Sequence, residues 1–297
     1  MKNINRISPI ITIITPTYNR AHKLPILYSS LIKQKGHFVW LIVDDGSTDN
    51  TEIVVADFDN CNNFEIQYIK KNNGGKHTAV NFGVKRINTP LTMIVDSDDR
   101  LLPYAIECIE GVHNKYKKYK NIGMYTFLKC YSSGKNVVSL ENDEFIENYI
   151  KYRILQDRPG DMAEVFITDV MKGFPFPEFK GERFLSEDVA WIEIGKYFDS
   201  VYINQSIYEC EYLEDGLTAN DKIMKFSSPF GSMMRGKQLM SKECGIKANL
   251  KGAIIYNCYK FCIHNRIPEV LILSFREKVL VALTKLISRW YYEKWRN

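Results

Sequence analysis

The feature that most constrains the fold is a regular alternation of strand and helix patterns through the first hundred residues. Short runs rich in β-branched and aromatic residues alternate with segments whose apolar residues recur at helical spacing. The predicted elements are strands at 10–15, 38–43, 64–70 and 91–95, and helices at 21–35, 47–58 and 75–87. This order is typical of βαβ units, which build a mostly parallel sheet with helices on both faces.

Beyond residue 100 the patterns are mixed and less regular. They predict, in chain order, a helix at 103–118, a hairpin at 122–140, loops across 141–186, a helix at 186–198 and a strand at 201–213. The stretch EDGLTAN, residues 214–220, indicates a turn, and the pattern is helical from residue 222 onward. We therefore expect an α/β domain over residues 1–221 and a helical C-terminal region over residues 222–297.

Two acidic loops follow predicted strands. LIVDDGSTDN places Asp44 and Asp45 after the second strand, and LTMIVDSDDR places Asp96, Asp98 and Asp99 after the fourth. Ligands of parallel α/β sheets bind outside the carboxyl ends of the strands, so both loops are candidate binding sites. Like charges this close repel each other, so the second cluster is either a solvated turn or a site for a hard divalent cation. These residues alone leave both interpretations open.

Between the acidic loops lies the stretch KKNNGGKHTAVN. Gly74 and Gly75 precede a predicted helix, where glycine allows close approach of a phosphate and Lys76 adds a positive charge. The same residues also suit an ordinary Asn-Gly turn. Ser47 is the predicted N-cap of the helix at 47–58. The chain has neither G-x-G-x-x-G nor G-x-x-x-x-G-K-[ST], which disfavours dinucleotide enzymes and P-loop NTPases.

Five short motifs in chain order carry a resemblance to a known family: ITPTYNR, LIVDDGSTDN, NNGGKHTAVNFG, MIVDSDDR and FLSEDVAW. Together they resemble the family 2 glycosyltransferases over about residues 8–215. The resemblance implies a GT-A fold, that is, a Rossmann-like α/β sheet flanked by helices. It also implies inverting transfer of a sugar from a nucleotide-diphosphate sugar, UDP-linked, to a hydroxyl of a saccharide acceptor in cell-surface polysaccharide synthesis.

The resemblance also assigns the site residues. The DSD element matches the D-x-D motif, which holds Mn²⁺ or Mg²⁺ on the diphosphate. Asp98 is its expected direct metal ligand, and Asp96 is expected to face the ribose and to be a second ligand. The expected nucleotide-sugar pocket contains Pro16, Thr17, Tyr18, Asp44, Asp45, Lys76, Asp96 and Ser97. A further metal ligand from the later half of the chain is not evident.

The SEDVAW motif supplies the expected catalytic base. In the family an acidic pair at this point provides the base, so Asp188 is the first choice and Glu187 the second. The alternative is that both are first-turn acids of a helix capped by Ser186. The preceding stretch GFPFPEFKGERF, residues 173–184, could stack its rings on an acceptor sugar or simply pack a loop.

Cysteine usage and the N-terminus bear on location. The seven Cys are scattered and odd in number, and the short apolar run at 10–14 suits a strand better than a signal peptide. We therefore expect reduced thiols and a cytoplasmic protein. Cys258, Cys262 and His264 could suggest zinc, but they lie in an apolar helical pattern that lacks a fourth ligand.

The C-terminal region is strongly basic. Residues 222–297 carry 15 Lys and Arg against 4 Glu, a net charge of +11, whereas residues 1–221 have a net charge of −6. Residues 270–297 predict one amphipathic helix. Its apolar stripe is Ile272, Phe275, Val279, Leu283, Leu286 and Trp290, and its basic stripe is Lys278, Lys285, Arg289 and Arg296. We expect this helix to bind the anionic inner face of the cell membrane, the alternatives being packing on the catalytic domain or on a second subunit.

Two other functions fit parts of the pattern. A nucleotidyltransferase would have a Gly-rich, Arg-bearing loop after the first strand, which TPTYNR is not. A non-catalytic nucleotide-sugar-binding subunit would tolerate loss of an acidic cluster, and this chain keeps both. No recognisable nucleic-acid module accompanies the basic end. The acceptor is expected to be a saccharide, lipid-diphosphate-linked, and the sugar, the linkage and the oligomeric state stay open.

Overall fold

The computed structural model describes residues 8–58, 64–211, 221–263 and 266–296. Its strands are β1 (Ile11–Thr17), β2 (Phe38–Asp44), β3 (Phe64–Lys70), β4 (Leu91–Ile94), β5 (Arg100–Leu101), β6 (Ile122–Cys130), β7 (Glu144–Asn148), β8 (Met162–Ile167) and β9 (Asp199–Glu209). The α-helices are α1 (Leu24–Leu31), α2 (Thr51–Ala56), α3 (Lys76–Val84), α4 (Ala105–Tyr116), α5 (Thr168–Gly173), α6 (Asp188–Gly195), α7 (Asp221–Ser227), α8 (Pro229–Leu239), α9 (Gly245–Lys260), α10 (Phe275–Leu283) and α11 (Lys285–Arg296). A π-helix spans Ile150–Leu155, and 3₁₀ turns span Lys242–Cys244 and Glu269–Leu271.

The described strands form one mixed sheet in the order β3-β2-β1-β4-β8-β6-β9-β5, with β7 paired to β9. Strands β3, β2, β1 and β4 are parallel, as the alternating pattern predicts. Every residue of β1 and β2 is buried because helices cover both faces of the sheet. The register pairs Thr17 with Asp44, so the loops after β1 and β2 leave the same edge of the sheet.

Two hydrophobic cores lie on opposite faces of the sheet, because successive strand residues point to opposite sides. Ile13 of β1 packs with α1, α2 and α4 on one face, whereas Ile14 packs with α3 and α6 on the other. The second core extends into the C-terminal region, since Met233 of α8 and Tyr256 of α9 belong to it.

The middle of the chain departs from the prediction. Loops were expected across 141–186, but this stretch contains β7, the π-helix, β8 and α5. Strand β8 is antiparallel to β4, with Val165 opposite Met93, and lies inside the sheet. The predicted hairpin at 122–140 forms only at its tip. Strand β6 is followed by a turn with one antiparallel bridge, Cys130 to Asn136, and otherwise pairs with β8 and β9.

The C-terminal helices pack against each other at close range. A side chain at Gly236 of α8 would lie 2.7 Å from the carbonyl oxygen of Gly252 on α9, so these glycines permit the crossing. The predicted turn at 214–220 lies outside the described residues. The division into 1–221 and 222–297 therefore stays a prediction.

The single helix predicted for 270–297 is wrong. The chain forms a 3₁₀ turn, an extended segment at Ile272, and then α10 and α11 with a break at Thr284. Ser274 begins α10 through a capping box: its hydroxyl accepts from the Glu277 amide, and its own amide donates to the Glu277 carboxylate. Among the described residues, none of the helices has both the length and the apolar composition needed to cross a bilayer.

Candidate active site

The loop after β2 is held by Asp44 from inside the protein. Asp44 is fully buried, and its carboxylate accepts hydrogen bonds from the Ser47 amide at 2.6 Å and the Tyr68 hydroxyl at 2.5 Å. The Ser47 hydroxyl accepts from the Asn19 amide at 2.9 Å, and α2 begins only at Thr51. The prediction of Ser47 as an N-cap is therefore wrong. Asp44 anchors the loop and, contrary to expectation, does not line the binding cavity.

Asp45 fixes the glycine turn before α3. Its carboxylate accepts from the amides of Gly74 at 3.0 Å and Gly75 at 2.7 Å, and it pairs with Lys71 at 2.7 Å. Gly75 has φ +93°, and a Cβ there would lie 2.0 Å from the carbonyl oxygen of Arg183. Only glycine fits this position. Gly75 lets the Arg183 backbone approach closely, and this contact brings the segment before α6 to the start of α3.

A cavity of about 360 Å³ opens at this edge of the sheet. It is lined by every predicted donor-pocket and metal residue except Asp44, namely Pro16, Thr17, Tyr18, Asp45, Lys76, Asp96, Ser97 and Asp98. Within the described part of the chain, the buried Thr17 Oγ1 and Asn73 Oδ1 have no hydrogen-bond partner, and both residues line this cavity. Buried polar atoms are rarely left unpaired, so a water or a polar ligand is the expected partner of these two atoms.

Lys76 connects the acidic loop after β4 with the SEDVAW segment. Its ammonium lies 2.5 Å from Asp96 Oδ1 and 2.9 Å from Glu187 Oε1. Although burial opposes the shift, these two carboxylates raise the pKa of Lys76. Lys76 likewise holds the pKa of Asp96 below its usual range, again against the effect of burial. The ammonium therefore partly offsets the charge of the acidic cluster.

The other two acids of this loop differ in their contacts. Asp99 accepts from the Tyr208 hydroxyl at 2.7 Å and the Glu211 amide at 3.0 Å, which ties the loop to β9. Burial and the Asp96 carboxylate raise the pKa of Asp99 to about 6. The same two causes raise the pKa of Asp98, which lines the cavity. Asp98 is thus a half-buried acid whose charge is destabilised by Asp96.

These residues fit a hard divalent cation. No cluster of three or more His, Cys, Asp or Glu suited to a metal occurs within the described ranges. Mg²⁺ and similar ions are commonly held by one or two carboxylates plus substrate phosphates, so a larger protein cluster is not required. Asp96 and Asp98 supply two such carboxylates on one cavity wall. A bound cation would relieve the repulsion between them.

A second, larger cavity of about 810 Å³ adjoins the first and shares five lining residues with it: Lys76, Asp96, Lys129, Asp161 and Arg183. Glu187 and Asp188 both line this cavity. Lys76 thus joins Glu187 to Asp96, and Asp188 lines the same cavity as Asp96. The residues expected to bind donor and acceptor lie in two connected spaces.

Asp188 is held by two partners. The Ser186 hydroxyl donates to Oδ1 at 2.6 Å, and Arg235 Nε lies 2.8 Å from Oδ2 and 3.0 Å from Oδ1. Ser186 bonds this side chain and does not cap the helix, since α6 starts at Asp188 without a side-chain cap. The predicted cap is therefore wrong, whereas Asp188 does lie in the first turn of α6. Arg235 was missed from the sequence because it lies on α8, 47 residues away, in a stretch with only a helical pattern.

Most aromatic residues of the 173–184 segment pack internally. Phe176 contacts Trp191 with ring centroids 5.6 Å apart, and Phe179 contacts Phe230 at 5.9 Å. Phe184 is the only aromatic residue of this segment that lines the larger cavity. The loop-packing interpretation holds for the buried rings. Another missed residue is Glu164 of β8, which lines the same cavity and whose pKa is raised to about 7 by burial.

The Glycosyl transferase family 2 profile matches residues 12–177, more than half of the chain. The chain belongs to the family 2 glycosyltransferases. This glycosyltransferase is 31% identical over 112 residues to an uncharacterized glycosyltransferase of Rickettsia typhi, covering 37% of this chain and 34% of the relative. It is 35% identical over 91 residues to the poly(ribitol-phosphate) beta-N-acetylglucosaminyltransferase TarS of Staphylococcus aureus, covering 30% of this chain and 16% of TarS. The match thus spans about a third or less of these relatives.

Solved structures show the same fold for the family 2 glycosyltransferase. S. aureus TarS 1-349 in complex with UDP-GlcNAc superposes with a TM-score of 0.63 at 16% identity, covering 96% of this chain and 91% of that one. A Pyrobaculum calidifontis mannosyltransferase in complex with GDP-Man and Mn²⁺ gives a TM-score of 0.58 at 13% identity, covering 98% and 85%. The expected GT-A architecture with C-terminal helices is confirmed.

Proposed function

We propose that this glycosyltransferase moves a sugar from a UDP-linked donor to a hydroxyl of a saccharide acceptor, with inversion at the anomeric carbon and with Mn²⁺ or Mg²⁺. The observation that carries the proposal is the junction of the two cavities. There Lys76 contacts both Asp96 of the donor side and Glu187 of the acceptor side. A sugar attached to a diphosphate at Asp96 and Asp98 would reach toward Asp188 across this junction.

The donor side would bind the nucleotide by its polar atoms. Thr17 Oγ1 and Asn73 Oδ1 are buried hydrogen-bonding atoms available to the base or ribose. Asp96 would face the ribose, and Asp96 and Asp98 would hold the cation. When bound, a divalent cation stabilises the negative charge that develops on a leaving diphosphate. Lys76 would bind the diphosphate after releasing Asp96.

On the acceptor side, Asp188 would act as general base. Its carboxylate takes the proton from the acceptor hydroxyl while that oxygen bonds to the anomeric carbon. The bond from the anomeric carbon to the diphosphate oxygen breaks in the same step, and the nucleoside diphosphate leaves from the opposite face. Arg235 and Ser186 orient the carboxylate for this role. Glu187 is the second choice, because its contact with Lys76 ties it to the donor side.

The test is a screen of UDP-, GDP- and dTDP-sugars for release of the nucleoside diphosphate, with Mn²⁺, with Mg²⁺ and with EDTA. We expect release from a UDP-sugar that requires the cation. A non-catalytic subunit would bind the donor and release nothing, and a nucleotidyltransferase would instead release pyrophosphate from a nucleoside triphosphate. Either result would replace the proposal.

We also propose that α10 and α11 hold the enzyme on an anionic membrane surface, where a lipid-diphosphate-linked acceptor would be found. Within the described residues, the predicted apolar stripe is largely exposed. Its exposed fractions are 58% for Ile272, 84% for Phe275, 43% for Val279, 75% for Leu283, 88% for Leu286 and 57% for Trp290. The opposite side of these helices, with Leu280 and Tyr292, is buried. The observation that supports this proposal is therefore an apolar face that is exposed in the part of the chain that the structure describes.

The basic stripe is partly engaged within the protein. Lys278 and Lys285 are exposed and available to anionic headgroups. Arg289 instead pairs with Glu293 at 2.7 Å and lies over the ring of Phe261. The side chain of Arg296 lies outside the described residues. On this proposal residues 1–221 carry the transfer chemistry, and residues 222–297 contribute Arg235 and the membrane face.

A further inference from the structure

The larger cavity carries positive charge that the proposed transfer step does not use. Beyond Lys76 and Arg235, its lining includes six basic side chains, which come from β6, the π-helix, the loop after it, the segment before α6, and α9: Lys129, Arg153, Arg158, Arg183, Lys247 and Lys251. The acids nearest to them along the chain are Asp157, Asp161 and Glu164, which also line the cavity. Burial raises the pKa of Glu164 to about 7.

The ion pairs that these cations form are easily replaced. Lys247 pairs with Asp157 at 2.7 Å, with the two side chains 81% and 66% exposed. Arg158 pairs at 3.1 Å with Glu141, whose side chain is 79% exposed and lies outside the cavity lining. Exposed ion pairs contribute little to stability. A ligand with a higher charge density than a carboxylate would therefore displace the acids at little cost.

The backbone beside these cations is unusual. A π-helix is rare and frequently marks a functional site, and Arg153 lies within this one. Asp157 follows with φ +50° and Gly160 with φ +99°. The 153–161 segment lines the cavity together with Lys247 of α9. A positive φ is costly for a non-glycine residue such as Asp157, and such strain clusters at functional sites.

The cavity is poorly suited to a neutral sugar chain. Neutral saccharides are commonly held by stacking on exposed rings, but Tyr149 and Trp191, which line this cavity, are buried in the core. Phe184 is the one lining ring in the described residues that is more than slightly accessible. Arg and Lys side chains from several elements instead match the oxygens of phosphate groups.

We propose that this cavity binds an acceptor that carries phosphate, with the phosphate at Arg153, Lys247 and Lys251 and the reacting hydroxyl at Asp188. The inference rests on the proposed function and names the acceptor class of that site. The phosphate could belong to a phosphodiester-linked polyol chain or to a lipid diphosphate. Both present the same oxygens to the cations, and the test below separates them.

The experiment is calorimetric titration of the full chain with saturating UDP and Mn²⁺, so that the donor side is filled. The probes are a glycerol phosphate trimer, farnesyl diphosphate and uncharged triglycerol. The variants are Lys247→Gln/Lys251→Gln, which changes two exposed side chains, and the same pair with Arg153→Gln. Lys260→Gln is the matched control, because Lys260 is exposed on the same helix but does not line the cavity.

We expect the wild type to bind a phosphate probe and not triglycerol. Each charge-assisted contact removed should weaken binding by roughly tenfold, so the double variant should lose about a hundredfold while Lys260→Gln changes nothing. Tighter binding of farnesyl diphosphate assigns a lipid-carried phosphate, and tighter binding of the trimer assigns a phosphodiester chain. The UDP affinity should be unchanged in every variant.

Two results would overturn the proposal: equal binding of a phosphate probe by wild type and both variants, or no binding of either probe by a wild type that binds UDP. Repeating the titration without UDP separates this failure from that of the proposed function. If the wild type binds the trimer through Lys247 and Lys251 but does not bind UDP, the proposed phosphate site stands and the proposed UDP-sugar donor is refuted.

Discussion

The exposed apolar face of α10 and α11 gives a prediction whose size follows from the structure. Leu283 and Leu286 are 75% and 88% exposed, so Leu283→Gln/Leu286→Gln removes apolar surface without disturbing the core. Full burial of a leucine side chain is worth about 1.5–3 kcal/mol, which sets the loss at about 3 kcal/mol for the pair. That corresponds to roughly a hundredfold weaker membrane partitioning. Gln keeps a good helix propensity, so thermal stability should not change.

The assay is co-sedimentation with anionic and neutral vesicles at low and high salt. The control is Ile53→Gln on α2, which removes a similarly exposed apolar side chain at 63% exposure from another helix. Lys278→Gln/Lys285→Gln should weaken binding to anionic vesicles by about 1 kcal/mol per residue, and only at low salt. Equal sedimentation of the leucine variant and Ile53→Gln would refute the reasoning. A concentration-dependent dimer that the leucine variant abolishes would assign the face to a second copy of the chain.

Three further changes test the interior of the site. Asp188→Asn should lower turnover by roughly 10²–10⁴ while a calorimetric titration still shows UDP binding with Mn²⁺; loss of UDP binding would move Asp188 to the donor side. Glu164→Gln should remove a pH dependence of stability. The pKa of Glu164 is about 7 in the folded protein and 4.5 in the unfolded chain, so the free energy of unfolding of the wild type declines as the pH rises from 4.5 to 7. The decline is at most about 3 kcal/mol. Urea unfolding at pH 5 and pH 8 measures this, and identical pH dependence in the variant would contradict it. Gly75→Ala should reduce both thermal stability and UDP affinity, because the added Cβ would clash with the Arg183 backbone. An unchanged melting temperature would show that the Arg183 backbone moves away at little cost.

The parallel half of the sheet was predictable because its signals are local. Strands β1 and β2 are apolar runs buried on both faces, and each ends in a short polar motif at the same sheet edge. Which of two adjacent acids enters the cavity was not predictable. Asp44 ends β2 and points into the interior toward Tyr68, while Asp45 turns toward the glycine loop. Neighbouring side chains at a strand end face opposite ways, and the sequence does not say which side holds the ligand.

The errors arise where long-range packing decides. Strand β8 was missed because Glu164 interrupts its apolar pattern and its partner β4 lies about 70 residues earlier. Arg235 reaches Asp188 only through the packing of α8 against α6, which no local pattern reports. The start of α10 is a different case. The capping box from Ser274 to Glu277 was readable in the sequence, but the apolar periodicity across it favoured one continuous helix.

The central claim is that the acids after β4 hold a divalent cation required for transfer from a UDP-sugar. The most direct test is a Mn²⁺ titration of UDP-sugar turnover for the wild type, for Asp98→Asn and for the exposed control Asp169→Asn. We predict saturable activation of the wild type and the control, complete loss with EDTA, and no recovery of Asp98→Asn at any Mn²⁺ concentration. The Asp98→Asn variant should keep at least the wild-type melting temperature, because it removes a charge that Asp96 repels. Turnover that persists in EDTA, or an Asp98→Asn variant with near wild-type turnover, would contradict the claim.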